Sequence, residues 1–137
     1  MNETSIALIG YISWMIILTL IIINLRGYTV LTSKKAANDF NVTGSDVSPF
    51  MQRLCRAHAN CYEHFPIFGG LLLLALALNL SGFTNPLAYV LLGLRIAQGI
   101  VHIISKSVLF VYLRLSLFLA QLGIAGYWIY LFLKLSL

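Results

Sequence analysis

Residues 53–78 read RLCRAHANCYEHFPIFGGLLLLALAL, and they decide the fold. Arg56, Asn60 and Glu63 fall at i, i+4 and i+7, one stripe of a helix, and Arg53 extends the stripe by three residues toward the N-terminus. From Phe65 to Leu78 the chain is almost wholly apolar. Charged and amide side chains are thus carried at helical spacing toward a bilayer. An ionisable side chain near the bilayer centre costs about 2.5–3.5 kcal/mol on insertion scales. A chain that keeps several on one face buries them against one another or against a ligand.

The whole composition agrees. Of 137 residues, 60% are hydrophobic and only 9% charged, against about 25% charged in soluble domains. Together with a mean hydropathy of +0.90, this predicts an all-α integral membrane protein, with residues 1–137 as one domain. Residues 1–4 hold Glu3 and no basic residue, so the basic start of a secretory leader is not expected. The net charge of +5 suits anionic lipid headgroups or an anionic ligand, and no basic run points to nucleic acid. Cys55 and Cys61 lie six apart on one helix and point to different sides, which argues against a disulfide or a metal site between them.

Working outward, four hydrophobic segments emerge. The first spans about 5–25, enough for roughly 30 Å of hydrocarbon. A polar connection follows, holding Arg26, Lys34, Lys35, Asp39 and Asp46. Ser48-Pro49 is a cap followed by a first-turn proline and opens a second helix, about 48–80, with a kink predicted at Pro66. Residues 81–85 read as a turn. Asn85-Pro86 repeats the cap-plus-proline start for a third helix, 86–104, and a tight connection leads to a fourth, 108–135. Arg26, Lys34, Lys35 and Lys106 fall in connections one and three. The positive-inside rule then puts those connections in the cytosol and both termini outside, with Lys134 dissenting.

Helix three carries Arg95, Gln98 and His102 at i, i+3 and i+7, and helix four carries Arg114 with Gln121 two turns later. Three helices therefore each present a polar stripe weighted toward the cytosolic half, and one shared pocket is the economical account. Each residue also has a structural alternative. Arg53 and Arg114 can snorkel to headgroups, Asn60 can bridge helices, and Glu63 can pair with Arg56 or Arg95. His102 can be a solvated interfacial residue. The coincidence on three helices favours a site. Four arginines against one glutamate suggest an anionic guest, because guanidinium binds carboxylates bidentately.

The run Arg56-Ala57-His58-Ala59-Asn60-Cys61-Tyr62-Glu63, with Phe65-Pro66 after it, resembles the helix-two motif of the membrane-associated proteins in eicosanoid and glutathione metabolism. That family includes microsomal glutathione transferases, microsomal prostaglandin E synthase and leukotriene C synthase. The extended string N-C-x-E-x-F-P-x-F is most similar to the leukotriene C synthase branch. Leu94-Arg95-Ile96-Ala97-Gln98-Gly99 resembles the family's helix-three run, and Arg114 matches its arginine at the start of helix four.

The resemblance implies a four-helix bundle assembled as a homotrimer, with sites between subunits facing the cytosol. It implies glutathione as co-substrate and no metal. On this analogy Arg56, Asn60 and Glu63 bind the peptide's charged ends, and His58 and His64 line the site. Lys34 and Lys35 match a basic pair that contacts the glutathione carboxylate, Arg95, Gln98 and His102 belong to the same polar set, and Arg114 faces the sulfur. Relatives often carry tyrosines on helix three where this chain has Ile100 and His102. The implied function is a membrane glutathione transferase, with peroxidase activity as a companion. Its partner substrate is a lipophilic electrophile or lipid hydroperoxide taken from membrane lipid. The rival is a non-catalytic lipid-binding scaffold of the same family.

Overall fold

A computed structural model describes residues 1–137 and is all-helical. The helices are α1 Glu3–Ser33, α2 Pro49–Ala77, α3 Ser81–Ile104 and α4 Val108–Ser136. Helices α1, α3 and α4 are long and apolar enough to cross a membrane. At 29 residues α2 has the length as well, but its first half carries Arg53, Arg56, His58, Asn60, Glu63 and His64.

Local chemistry sets the ends. Asn2 and Ser5 form a reciprocal capping box at the start of α1, with the Ser5 N–H donating to Asn2 Oδ1 at 2.9 Å. The Ser48 hydroxyl accepts from Met51 N–H at 3.0 Å with Pro49 in the first turn of α2, as that pair predicts. Three boundaries differ from the sequence reading. Helix α1 does not end near Leu25 but runs to Ser33, and stops where Lys34 turns left-handed at φ 53°. The polar residues of this stretch are absorbed into the helix: the Thr29 and Thr32 hydroxyls donate to carbonyls four residues back, each at 2.8 Å.

Helix α2 ends at Ala77 rather than Leu80, because Asn79 adopts φ 57°. The Leu80 N–H then reaches the Ala75 carbonyl at 2.7 Å and the Asn79 N–H the Leu76 carbonyl at 3.2 Å, a Schellman turn. Helix α3 follows at once, so the expected turn at 81–85 is helical and Asn85-Pro86 does not open the helix. Asn85 is engaged elsewhere. Its Oδ1 accepts from the Thr4 N–H at 3.1 Å and the Thr4 hydroxyl at 2.6 Å, tying α1 to α3. Pro86 falls in the second turn of α3, where its missing N–H leaves the Gly82 carbonyl without its helical partner. Helix α4 lies where the hydropathy places it.

Helix α3 is central. It packs against α1, α2 and α4, while the backbones of α1 and α4 do not approach each other. Without a hydrophobic driving force between helices in lipid, close approach of small residues matters. Gly99 shows it: a Cβ there would sit 2.9 Å from Trp14 Nε1, so glycine lets α1 and α3 meet. Tyr11, Leu18, Leu54, Phe68, Leu91 and Trp128 fill the core. In the first connection Lys35 pairs with Asp46 at 3.1 Å and Asp39 at 3.7 Å. Gly44 holds φ 72°, where any Cβ would press on the Met51 carbonyl at 2.8 Å. The Asn41 N–H, bound to Asp46 at 3.0 Å, and then the Lys35 ammonium hold the Asp46 carboxyl below its ordinary range.

Candidate functional site

Helices α2, α3 and α4 form an open cavity of about 270 Å³ lined by Arg56, Ala59, Asn60, Glu63, His102 and Arg114, with Arg56 and Glu63 exposed at its mouth. The α2 members are the stripe at i, i+4 and i+7. His102 comes from the last turn of α3. The three residues between α3 and α4 bring Arg114, in the second turn of α4, back beside it. The Arg114 guanidinium donates to His102 Nδ1 at 2.8 Å. Neither ion pair considered for Glu63 forms: the chain's salt bridges are both made by Lys35. Arg56 and Glu63 therefore face the cavity unpaired.

Beneath this wall lies a second layer. Arg95 is 1% exposed and does not line the cavity. It donates to Asn60 Oδ1 at 2.7 Å and more weakly to the Asn60 carbonyl at 3.4 Å. The Tyr11 and Phe68 rings flank its guanidinium at 5.6 and 5.0 Å, a cation–π arrangement that stands in for a missing carboxylate. Two of its nitrogens, Nε and Nη2, have no partner. Because Asn60 turns its oxygen to Arg95, its amide N–H groups are left for the cavity. Gln98 is not in the cavity either: it is buried and accepts from Gln121 at 2.9 Å, a polar staple between α3 and α4.

The remaining candidates are dispersed. His58 lies on the opposite side of α2, with Nε2 2.9 Å from the Thr19 hydroxyl. There it lines a separate cavity of about 270 Å³ between α1 and α2, with Ile22, Arg26, Cys55 and Tyr62. Two residues along a helix is about 200° of turn, so His58 cannot share the wall of Arg56 and Asn60. His64 donates from Nδ1 to the Asn60 carbonyl at 2.8 Å and packs on Phe118. Lys34 is exposed and Lys35 is held by its two aspartates. Arg53 does not point freely outward: its Nε donates to the Ile103 carbonyl at 2.7 Å, satisfying an end group of α3. Beside it, Lys106 bonds Gln52 across the same junction.

Sequence reasoning missed Tyr11. Its hydroxyl donates to the Cys61 carbonyl at 2.8 Å while its ring supports Arg95. An isolated tyrosine in an apolar helix carries no signal of that.

Chemically, the wall offers two guanidinium groups, an amide and an imidazole against one carboxylate. It fits a zwitterionic or anionic guest with an amino end for Glu63. Neither a curated protein nor a solved structure matches the chain. A family model does, that of the MAPEG family, over residues 4–134. With that match spanning all four helices and every residue of the cavity, the chain belongs to the MAPEG family.

Proposed function

We propose that this protein is a membrane-bound glutathione transferase that conjugates glutathione to hydrophobic electrophiles dissolved in the bilayer. Family membership gives the coarse role, a membrane protein of glutathione or eicosanoid metabolism. The finer reading rests on one observation: the cavity of Arg56, Asn60, Glu63, His102 and Arg114, whose α2 members have no ionic partner within the chain. Arg56 takes a glutathione carboxylate and Glu63 the amino group. Arg114 faces the thiol, which loses its proton to water. The thiolate then bonds to the electrophilic carbon as the leaving group departs with the bond's electron pair. Proximity and a guanidinium beside the developing charge supply the catalysis. With a lipid hydroperoxide, two glutathiones give the disulfide, the lipid alcohol and water.

Arg56 and Glu63 are exposed in the single chain. In a lipid-embedded helix such groups need cover, which supports self-assembly with the site at a subunit boundary, in the homotrimer that the helix-two resemblance implies. Lys34 and Lys35 contact ligand only if they come from a neighbouring subunit, and Lys35 must first leave its aspartates. The site faces the cytosol, on the side of connections one and three, with both termini outside. The test is a glutathione-dependent assay of the purified protein with an aryl halide and with a lipid hydroperoxide. Product in either, lost in Arg114→Ala, supports the enzyme. Glutathione binding without product, with lipid bound in the α1–α2 cavity, supports the scaffold.

A further inference from the structure

The polar groups of the cavity differ in how firmly they are oriented. Arg56 and Glu63 make no side-chain contact that fixes them. His102 is fixed, and by a partner of one kind only. A guanidinium carries five N–H donors and no acceptor, and it stays protonated. Its 2.8 Å bond to His102 Nδ1 therefore requires a lone pair on that nitrogen. The ring is neutral in this arrangement, with its single proton on Nε2. Nε2 makes no hydrogen bond within the chain, and His102 lines the cavity. The charged groups around the ring are Arg114 on α4, Arg56 and Glu63 on α2, and the buried Arg95 two turns back on α3 itself. None of them bonds Nε2.

From this geometry we infer that His102, its tautomer set by Arg114, presents Nε2–H as a second hydrogen-bond donor to the sulfur of bound glutathione. The inference rests on the transferase reading and deepens it: the thiolate is held by two groups from two helices, a cation on α4 and a neutral donor on α3. A neutral imidazole that accepts at Nδ1 cannot also take a proton at Nε2. His102 is thus excluded as the base that removes the thiol proton, and its role is to stabilise the anion once formed. The pairing also has a return effect. Engaged with the ring, the Arg114 guanidinium is held in the cavity instead of extending along its stem to the headgroups.

Two measurements test this on the intact protein in detergent. The first is nitrogen NMR of ¹⁵N-histidine-labelled protein without ligand, with the His102 signals identified by their loss in His102→Gln. The expected result is a neutral ring protonated at Nε2. A proton on Nδ1, or a doubly protonated ring at neutral pH, overturns the inference whatever glutathione does. The second is ultraviolet titration of the thiol of bound glutathione. Phenylalanine keeps the ring shape but has no donor, whereas the glutamine amide places an N–H close to the Nε2 position. His102→Phe should therefore lower the thiolate population at neutral pH by about tenfold, the scale of one lost charge-assisted bond, and His102→Gln should restore most of it. Tight glutathione binding with an unchanged thiol titration in His102→Phe removes this inference and leaves the transferase reading intact. Absence of glutathione binding by the unaltered protein removes the reading on which both stand.

Discussion

At the scale of single residues, the site divides into groups that meet the guest and groups that aim them. Arg114 belongs to the first. A free thiol has a pKa of about 8.5, and a guanidinium beside it favours the thiolate. Arg114→Ala should raise the thiol pKa of bound glutathione toward that value while leaving affinity largely intact, and Arg114→Lys should fall between. Ultraviolet titration of the bound thiol checks this, and unchanged thiolate in Arg114→Ala would mark Arg114 as an interfacial residue. Arg95 belongs to the second group. Its charge is buried without a carboxylate, so replacing it by an apolar residue of similar length should not destabilise the fold. What goes is the hold on Asn60. Arg95→Met should keep or raise the melting temperature yet weaken glutathione binding roughly three- to twentyfold, the span of interhelical hydrogen bonds in membranes. A large loss of stability with unchanged affinity would reverse the assignment. The division itself was not legible in the sequence. Arg95, Gln98 and His102 share one stripe of α3, but α3 is the central helix, so that stripe meets α2 at one level and α4 at the next. Spacing told which residues are neighbours on their own helix and not which neighbour each would find.

At the scale of elements, the four helices and the Ser48-Pro49 start could be read from hydropathy and capping rules, whereas the junction between α2 and α3 could not. Asn79 and Asn85 are both reasonable boundary residues. The choice was made by Thr4, 81 residues before Asn85, which takes the Asn85 side chain and leaves Asn79 to close the turn. The polar tail of α1 is not legible from hydropathy: Arg26 marks the start of a charged connection, yet the helix continues past it with the Thr29 and Thr32 hydroxyls satisfied by its own carbonyls. The first connection carries its own prediction. The Asp46 carboxyl is depressed in the folded state, so its contribution is complete above the ordinary carboxylate range. It is lost as pH falls through the lowered value. Hydrogen exchange of the Asn41 amide should accelerate relative to unstructured amides on acidification. Asp46→Asn should show the faster exchange already at neutral pH, and an identical pH response in the variant would contradict it. The orientation is tested at the same scale. With Cys55 and Cys61 replaced, a cysteine at Ser33 should label only from the cytosolic side and one at Ser81 only from the other. Labelling of Ser33 from outside would invert the topology.

At the scale of the molecule, two layers of polarity cross the bundle. The buried layer, Arg95–Asn60 and Gln98–Gln121, links α3 to α2 and to α4 beneath the cavity and orients Asn60. The open layer, Arg56, Glu63, His102 and Arg114, is left for a guest. The most direct measurement is calorimetric titration of glutathione into the purified protein, with thermal melting alongside. Binding should be saturable, and glutathione at 100 times its dissociation constant should add about 2.7 kcal/mol of stability. Arg56→Ala should weaken affinity by about tenfold or more, since charge-assisted bonds contribute roughly 1.5–3 kcal/mol. No heat and no melting shift, or unchanged affinity in a folded Arg56→Ala variant, would contradict the assignment of this cavity to glutathione.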